Sequence, residues 1–374
     1  MPNKNLPRII AFYLPQFHPF KENDEWWGKG FTEWTNVGKA KPLFKGHYQP
    51  RVPADLGYYD LRLPSVREEQ VKLAKEAGVT AFCYWHYWFG NGKRLMENIF
   101  NEVLTTGKPD FPFCLGWANH SWYAKNWNSD GTSTNKLLIE QTYPGLEDEK
   151  MHFQFLLQAF KDSRYIKIDN KPFLYIFDPI NIPDEYIKNL KKWTKEAGFQ
   201  GLYLVANISH PSIKKESLFN RGFDAVNYQR LNGSSNRIIN KMGRTGRGIY
   251  KIISTIKGFI LHRPPRMVNY KYFYHTLITE EEKNENVIPT LLPQWDHTPR
   301  SGWNGSLIVN STPQYFYKQA MEALHTIKNK KEQILLLKSW NEWGEGNYME
   351  PDLKYGKGFI NALKNAINDY MADK

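Results

Sequence analysis

The stretch Leu335-Leu336-Leu337-Lys338-Ser339-Trp340-Asn341-Glu342-Trp343-Gly344-Glu345-Gly346 opens as an apolar run, with Ile334 ahead of it, and then breaks into polar and aromatic residues around two glycines. Apolar residues that stop in such a cluster read as a buried strand over 334–337, delivering side chains to a site at its carboxyl end. Glu342 and Glu345 straddle that exit. A turn at Trp343-Gly344 lets both carboxylates face one cavity, one as proton donor and the other as base or nucleophile, which is the pairing glycosidic-bond chemistry requires. The same E-x-x-E spacing also occurs on solvated helix faces. Here the flanking Trp340 and Trp343 and the strand exit favour a site.

Seven further strand-sized apolar runs lie at 8–14, 79–85, 111–118, 173–177, 202–206, 223–228 and 287–292. Helical patterns fall between them at 65–77, 94–105, 147–162, 183–197, 213–220, 313–327 and 358–371. The first is expected to start with a capping box, Ser65-Val66-Arg67-Glu68, and to stop at Gly78; the sixth is expected to be capped by Thr312. Eight alternating units predict a (β/α)8 barrel with long βα loops, one domain over 1–374. An open doubly wound sheet is the alternative, but no G-x-G-x-x-G or G-x-x-x-x-G-K-[ST] follows any strand.

A barrel keeps its chemistry at the carboxyl ends of its strands, and polar-aromatic clusters follow strands 1, 2, 3, 7 and 8. The expected walls and hydrogen-bonding tips of a sugar cleft are Trp26, Trp27, Glu33 and Trp34 in the first loop, Tyr84, His86 and Trp88 at strand 2, and Trp117, Asn119, His120 and Trp122 at strand 3. Asp178 follows strand 4. Asp296, His297 and Trp303, with Arg300 nearby, follow strand 7 and suit sugar hydroxyls or a phosphate. Any single tryptophan reads equally well as core, and the strand 7 loop as a set of satisfied hydrogen bonds. His86, His120, His297 and Asp178 would also suit a metal, yet no H-x-H or H-E-x-x-H occurs, and none is expected. No D-x-D, a metal–nucleotide-sugar clamp, occurs either.

Aromatic residues make up 15% of the chain, beyond what packing alone requires. Cys83 and Cys114, the only cysteines, sit in strands, so no disulfide framework is implied. Residues 1–8 lack the apolar run of a signal peptide, and no segment approaches the roughly 18 apolar residues of a membrane span. A reducing, cytoplasmic setting is expected. The net charge of +12 is concentrated: 225–279 holds ten Lys or Arg and no Asp or Glu, and without it about +2 remains (12 − 10). This defines a basic insert over 229–268. Within it Ile249, Ile252, Ile253, Ile256, Phe259 and Ile260 fall at helical spacing among Lys and Arg. Such a stripe over 248–266 reads either as peripheral contact with an anionic inner-membrane surface or as packing on the barrel's outer helices. No nucleic-acid-binding module is present.

The segment Asn341-Glu342-Trp343-Gly344-Glu345-Gly346-Asn347-Tyr348-Met349-Glu350-Pro351-Asp352 resembles the WbsX family of polysaccharide-biosynthesis proteins, related to the endo-α-mannosidases of glycoside hydrolase family 99. So do Ala11-Phe12-Tyr13-Leu14-Pro15-Gln16-Phe17-His18-Pro19 and Gly30-Phe31-Thr32-Glu33-Trp34. The resemblance implies a (β/α)8 barrel, no metal, no cofactor and a retaining mechanism. Carried over, Glu342 deprotonates the sugar 2-hydroxyl, which attacks C1 to give a 1,2-anhydro intermediate. Glu345 is the general acid and base. Trp340, Asn341, Trp343 and Glu350 complete the expected substrate-binding set. Gly344 stands where the mannosidases carry His. WbsX members accompany O-antigen and capsule machinery and are often labelled glycosyltransferases. The implied substrate is therefore a bacterial surface oligosaccharide or polysaccharide, in lipid-linked form where the insert meets a membrane.

Overall fold

Each apolar run becomes a parallel strand because it is covered on both sides, by its barrel neighbours within and by helices without. The computed structural model describes residues 6–127, 133–231 and 267–373. The strands are β1 (Arg8–Tyr13), β2 (Ala81–His86), β3 (Phe113–Trp117), β4 (Lys171–Ile176), β5 (Tyr203–Ile208), β6 (Ala225–Tyr228), β7 (Thr290–Leu291) and β8 (Ile334–Leu337). They are hydrogen-bonded in the order β7-β8-β1-β2-β3-β4-β5-β6. Ile10, for instance, lies opposite Leu336 on one side and Ala81 on the other. A parallel bridge from Val226 to Val287 closes the ring, with Ile288 N donating to Val226 O at 2.8 Å. The fold is a (β/α)8 barrel.

Helices α1 (Pro64–Ala77), α2 (Glu97–Thr106), α3 (Leu146–Lys161), α4 (Asp184–Glu196), α5 (Lys215–Asn220), α6 (Pro313–Ile327) and α7 (Gly358–Ala372) surround it. Gly78 ends α1 at φ 85°, and Thr312 Oγ1 accepts from Tyr315 N at 3.4 Å to start α6. The expected capping box on α1 does not form. The helix starts at Pro64, whose missing N–H costs nothing in the first turn, so Ser65 lies inside it and Leu63 is the cap residue. Cys83 and Cys114 are buried and free, opposite each other on β2 and β3.

Two features at the mouth were not anticipated. The loop after β1 contains helices Lys21–Trp27 and Glu33–Lys39, the second held by a capping box of Thr32 and Thr35. After β3 the chain forms an antiparallel hairpin, Trp122–Trp127 with Ser133–Ile139. The insert over 229–268 lies outside the described residues except at its two ends, and the stripe at 248–266 lies wholly outside them. Among the described residues no helix is long and apolar enough to cross a membrane.

Candidate active site

Beyond β8 the chain folds back on itself. Asn341–Glu342 pairs antiparallel with Asn347–Tyr348, and Trp343–Glu345 forms a 3-10 turn between them. Gly346 closes the turn at φ 54°, where a Cβ would also lie 2.8 Å from that of Asp296. Asn341 ties this exit to that of β1: Leu14 N donates to its Oδ1 at 2.8 Å, and its Nδ2 donates to Leu14 O at 3.0 Å. The fold-back brings Glu342 and Glu345 onto one cleft of about 650 Å³.

One guanidinium organises the charges there. Arg300 Nη1 lies 2.6 Å from Glu345 Oε1 and 3.6 Å from Glu342 Oε1, while Arg300 Nη2 lies 3.0 Å from Glu33 Oε2. Ser339 Oγ donates to Glu342 Oε2 at 3.3 Å, and His297 Nε2 is 3.7 Å from Glu345 Oε1. Burial, and then the charge of Glu345, push the Glu342 carboxyl up to about 7 against the pull of Arg300 and Lys338. Burial lowers the Lys338 ammonium, which the two glutamates partly restore. The aromatic lining includes Trp27, Trp85, Tyr87, Trp122, Phe177 and Trp295.

Of the residues expected from sequence, Trp27, Glu33, His120, Trp122, His297, Arg300, Glu342 and Glu345 line this cleft. The others do structural work. Asp296 is fully buried, and Thr298 and Gln49 donate to it at 2.6 and 2.7 Å. His47 Nδ1 accepts from Leu43 N, so its Nε2 carries the proton and donates to Asp296 at 2.9 Å. Burial alone would raise the Asp296 carboxyl. The His47 hydrogen bond, the Arg51 charge and the Thr298 hydroxyl bring it down to about 2. Asp296 thereby fixes the turn that carries Arg300. Glu350 accepts from Tyr59 Oη, Gln70 Nε2 and Trp343 Nε1 at 2.7–2.8 Å, below the cleft. Asp178 accepts from Ile180 N and Asn181 N in its own turn, and Asn119 clasps the Asp178 backbone. Trp26 packs edge-on against Trp122, Trp34 lies tilted against Trp343, and Trp340 is buried beside Phe82. Trp303 is 42% exposed, away from the lining.

The largest correction is one of phase. Tyr84, His86, Trp88 and Trp117 point outward, toward the helices. Tyr84 packs on Phe100, His86 Nε2 meets His152 Nε2 at 2.9 Å, Trp88 Nε1 donates to Asp148, and Trp117 packs edge-on against His152. The side chains that face inward are their neighbours Trp85 and Tyr87, with Trp85 stacked on Phe12 at 4.8 Å. Gly116, opposite, leaves room for that indole: a Cβ there would lie 3.2 Å from it. The histidines considered for a metal are consequently split between the two sides of the barrel wall. Among the described residues no group of three or more His, Cys, Asp or Glu is arranged to hold a metal ion. Lys338, which also lines the cleft, was absent from the expected substrate-binding set; a lone basic residue after an apolar strand was the available signal.

The profile of the family described as Glycosyltransferase WbsX matches residues 9–363. A relative from Xanthomonas campestris pv. campestris, described as uncharacterized protein WxcX, is 31% identical over 366 residues, covering 96% of this chain and 49% of its own length. The chain thus spans about half the length of the curated relatives it matches. Among solved structures, a glycoside hydrolase-like protein aligns with TM-score 0.57 at 18% identity, covering 98% of this chain and 95% of the other. The family 99 endo-α-mannosidase from Bacteroides thetaiotaomicron aligns with TM-score 0.58 at 13% identity, covering 99% and 98%. These two share the fold. By the extent of the profile match, the chain belongs to the carbohydrate-active family described as Glycosyltransferase WbsX.

Proposed function

We propose that the chain is a glycoside hydrolase-like enzyme that cleaves, with retention, a glycosidic bond of a bacterial surface polysaccharide of the O-antigen or capsule type. The observation carrying this reading is that Glu342 and Glu345 converge on one guanidinium inside an aromatic-lined cleft. In the proposed sequence, Glu342 takes the proton of the sugar 2-hydroxyl as that oxygen attacks C1, and Glu345 gives a proton to the departing oxygen. Water then opens the 1,2-anhydro ring at C1, losing its proton to Glu345 while Glu342 returns the first proton to O2. A carboxyl at about 7 suits a base working near neutrality. The two carboxylates supply the chemistry, and neither metal nor cofactor enters these steps.

A specific observation favours a second assignment. In the free site Glu345 is ion-paired to Arg300 at 2.6 Å, while burial raises the Glu342 carboxyl to about 7, which suits Glu342 as donor and Glu345 as base. Oligosaccharides and aryl glycosides with good leaving groups separate the two. Loss of a general acid costs about 10²–10⁴-fold on unactivated substrates and far less where departure needs no proton. If Glu345 is the acid, Glu345→Gln follows that split and Glu342→Gln is impaired on both substrate types; the reverse pattern supports the second assignment. Transfer from a nucleotide sugar to a lipid-linked acceptor, with no hydrolysis of either substrate type by the parent, would overturn the hydrolase reading in favour of the family's printed description. The proposed setting is the cytoplasm, with the stripe at 248–266 either meeting the inner-membrane surface or packing on the barrel's outer helices.

A further inference from the structure

Glycine is present at 344 for reasons of space rather than backbone conformation. Its φ is not among the positive ones, but a Cβ there would lie 1.9 Å from Glu33 Oε2 and 3.1 Å from Arg300 Nε. Real Cβ atoms do not come that close, so the volume a side chain at 344 would take is already filled by the Glu33 carboxylate. Glu33 reaches it from the first turn of Glu33–Lys39, with its side chain 5% exposed. It binds Arg300 through Nε at 3.2 Å and Nη2 at 3.0 Å, leaving Nη1 for Glu345. A guanidinium is a rigid planar fork, so a carboxylate fixed on one edge sets where the other edge points.

We infer that Gly344, Glu33 and Arg300 form one positioning unit for the reacting carboxylates: the glycine leaves room for Glu33, Glu33 orients Arg300, and Arg300 holds Glu345 and sets the field at Glu342. The inference rests on the reading of Glu342 and Glu345 as the reacting pair. The charged groups around the pair come from several elements: Arg300 and His297 from the loop after β7, Glu33 from the loop after β1, and Lys338 from the end of β8. Among the described residues only Arg300 pairs with all three carboxylates. Displacing Glu33 therefore acts on the pair chiefly through Arg300, because the direct influence of the Glu33 charge on Glu342 is weaker than that of Arg300.

The titration needs no substrate. Protein labelled with 13C at the glutamate side-chain carboxyl is titrated by NMR, with Glu342 assigned from Glu342→Gln. Arg300→Gln should move the Glu342 titration upward by about one unit, the size expected from losing an opposite charge within 4–6 Å. Gly344→Ala should move it in the same direction by displacing Glu33. Glu33→Ser removes the 1.9 Å obstruction and leaves only the 3.1 Å approach to Arg300 Nε, so Gly344→Ala added to Glu33→Ser should shift the titration less than it does in the parent. Arg300→Lys, which retains charge without the fork, should keep most of the titration but not kcat. An unshifted titration in Gly344→Ala, or additive shifts in the double variant, overturns the inference. If the titrations behave as stated while the parent turns over no glycan, the unit stands and the catalytic reading of the pair fails.

Discussion

Replacing Glu342 by Gln should stabilise the free protein, and only at higher pH. The carboxyl rises from 4.5 in the unfolded chain to about 7 in the cleft, through burial first and Glu345 second. A group whose folded pKa is raised contributes stability that is fully present below about 4.5 and is lost as pH climbs through about 7. At about 1.36 kcal/mol per unit, the change amounts to about 3 kcal/mol. It is a ceiling, because the side chain keeps 13% exposure and the 3.6 Å approach to Arg300 goes with the charge. The neutral amide fills nearly the same volume and does not titrate. At roughly 2.1 cal/mol/K of unfolding entropy per residue, 3 kcal/mol is about 4 °C in a chain of this length. Parent and variant should therefore melt together at pH 4.5 and separate by up to about 4 °C at pH 8, the variant higher, as read by calorimetry in one buffer series. Glu350, also raised to about 7, is present in both proteins and cancels from the difference. A Tm difference that does not change with pH, or a variant less stable than the parent at pH 8, would refute the reasoning.

Glu350→Leu should cost about 3 kcal/mol or more in urea unfolding, since it strands the Tyr59 hydroxyl, the Gln70 amide and the Trp343 indole N–H in a dry site. Trp85→Ala should raise KM for an oligosaccharide about tenfold or more, whereas Trp88→Phe, which loses the indole bond to Asp148 and part of the stack on His152, should leave KM unchanged and lower stability by about 1–2 kcal/mol or more. If the 248–266 stripe meets an anionic surface, the protein should sediment with anionic but not neutral liposomes, more weakly as salt rises, and Ile252→Glu/Ile256→Glu should abolish this while sparing a small soluble glycoside.

All eight barrel strands were legible because burial on both faces writes them as continuous apolar runs. The same burial hides their phase. An antiparallel strand with one wet face announces its inward residues by alternation, but β2 reads Ala-Phe-Cys-Tyr-Trp-His, with nothing to distinguish the face of Trp85 from that of Tyr84 and His86. The phase is set by tertiary neighbours. Phe12 and Gly116 receive the Trp85 ring within the barrel, and His152 on α3 takes His86 outside it. A shift of one residue therefore moved Tyr84, His86 and Trp88 from the expected cleft to the helix layer.

The candidate site divides along similar lines. Glu342 and Glu345 were legible because a strand exit, a turn and flanking tryptophans lie within one short stretch, so local geometry suffices to bring them to one cavity. What differentiates the pair is not local. Arg300 arrives from the β7 loop, held in place by Asp296, and Glu33 arrives from the far side of the β1 loop into the space that Gly344 leaves. Asp296 and Glu33 were both expected to touch substrate. The geometry assigns Asp296 to the support of Arg300 and leaves Glu33 on the cleft wall in an ion pair. Burial, the third carboxylate and the guanidinium it orients all bear on the Glu342 carboxyl, and the E-x-x-E spacing encodes none of them.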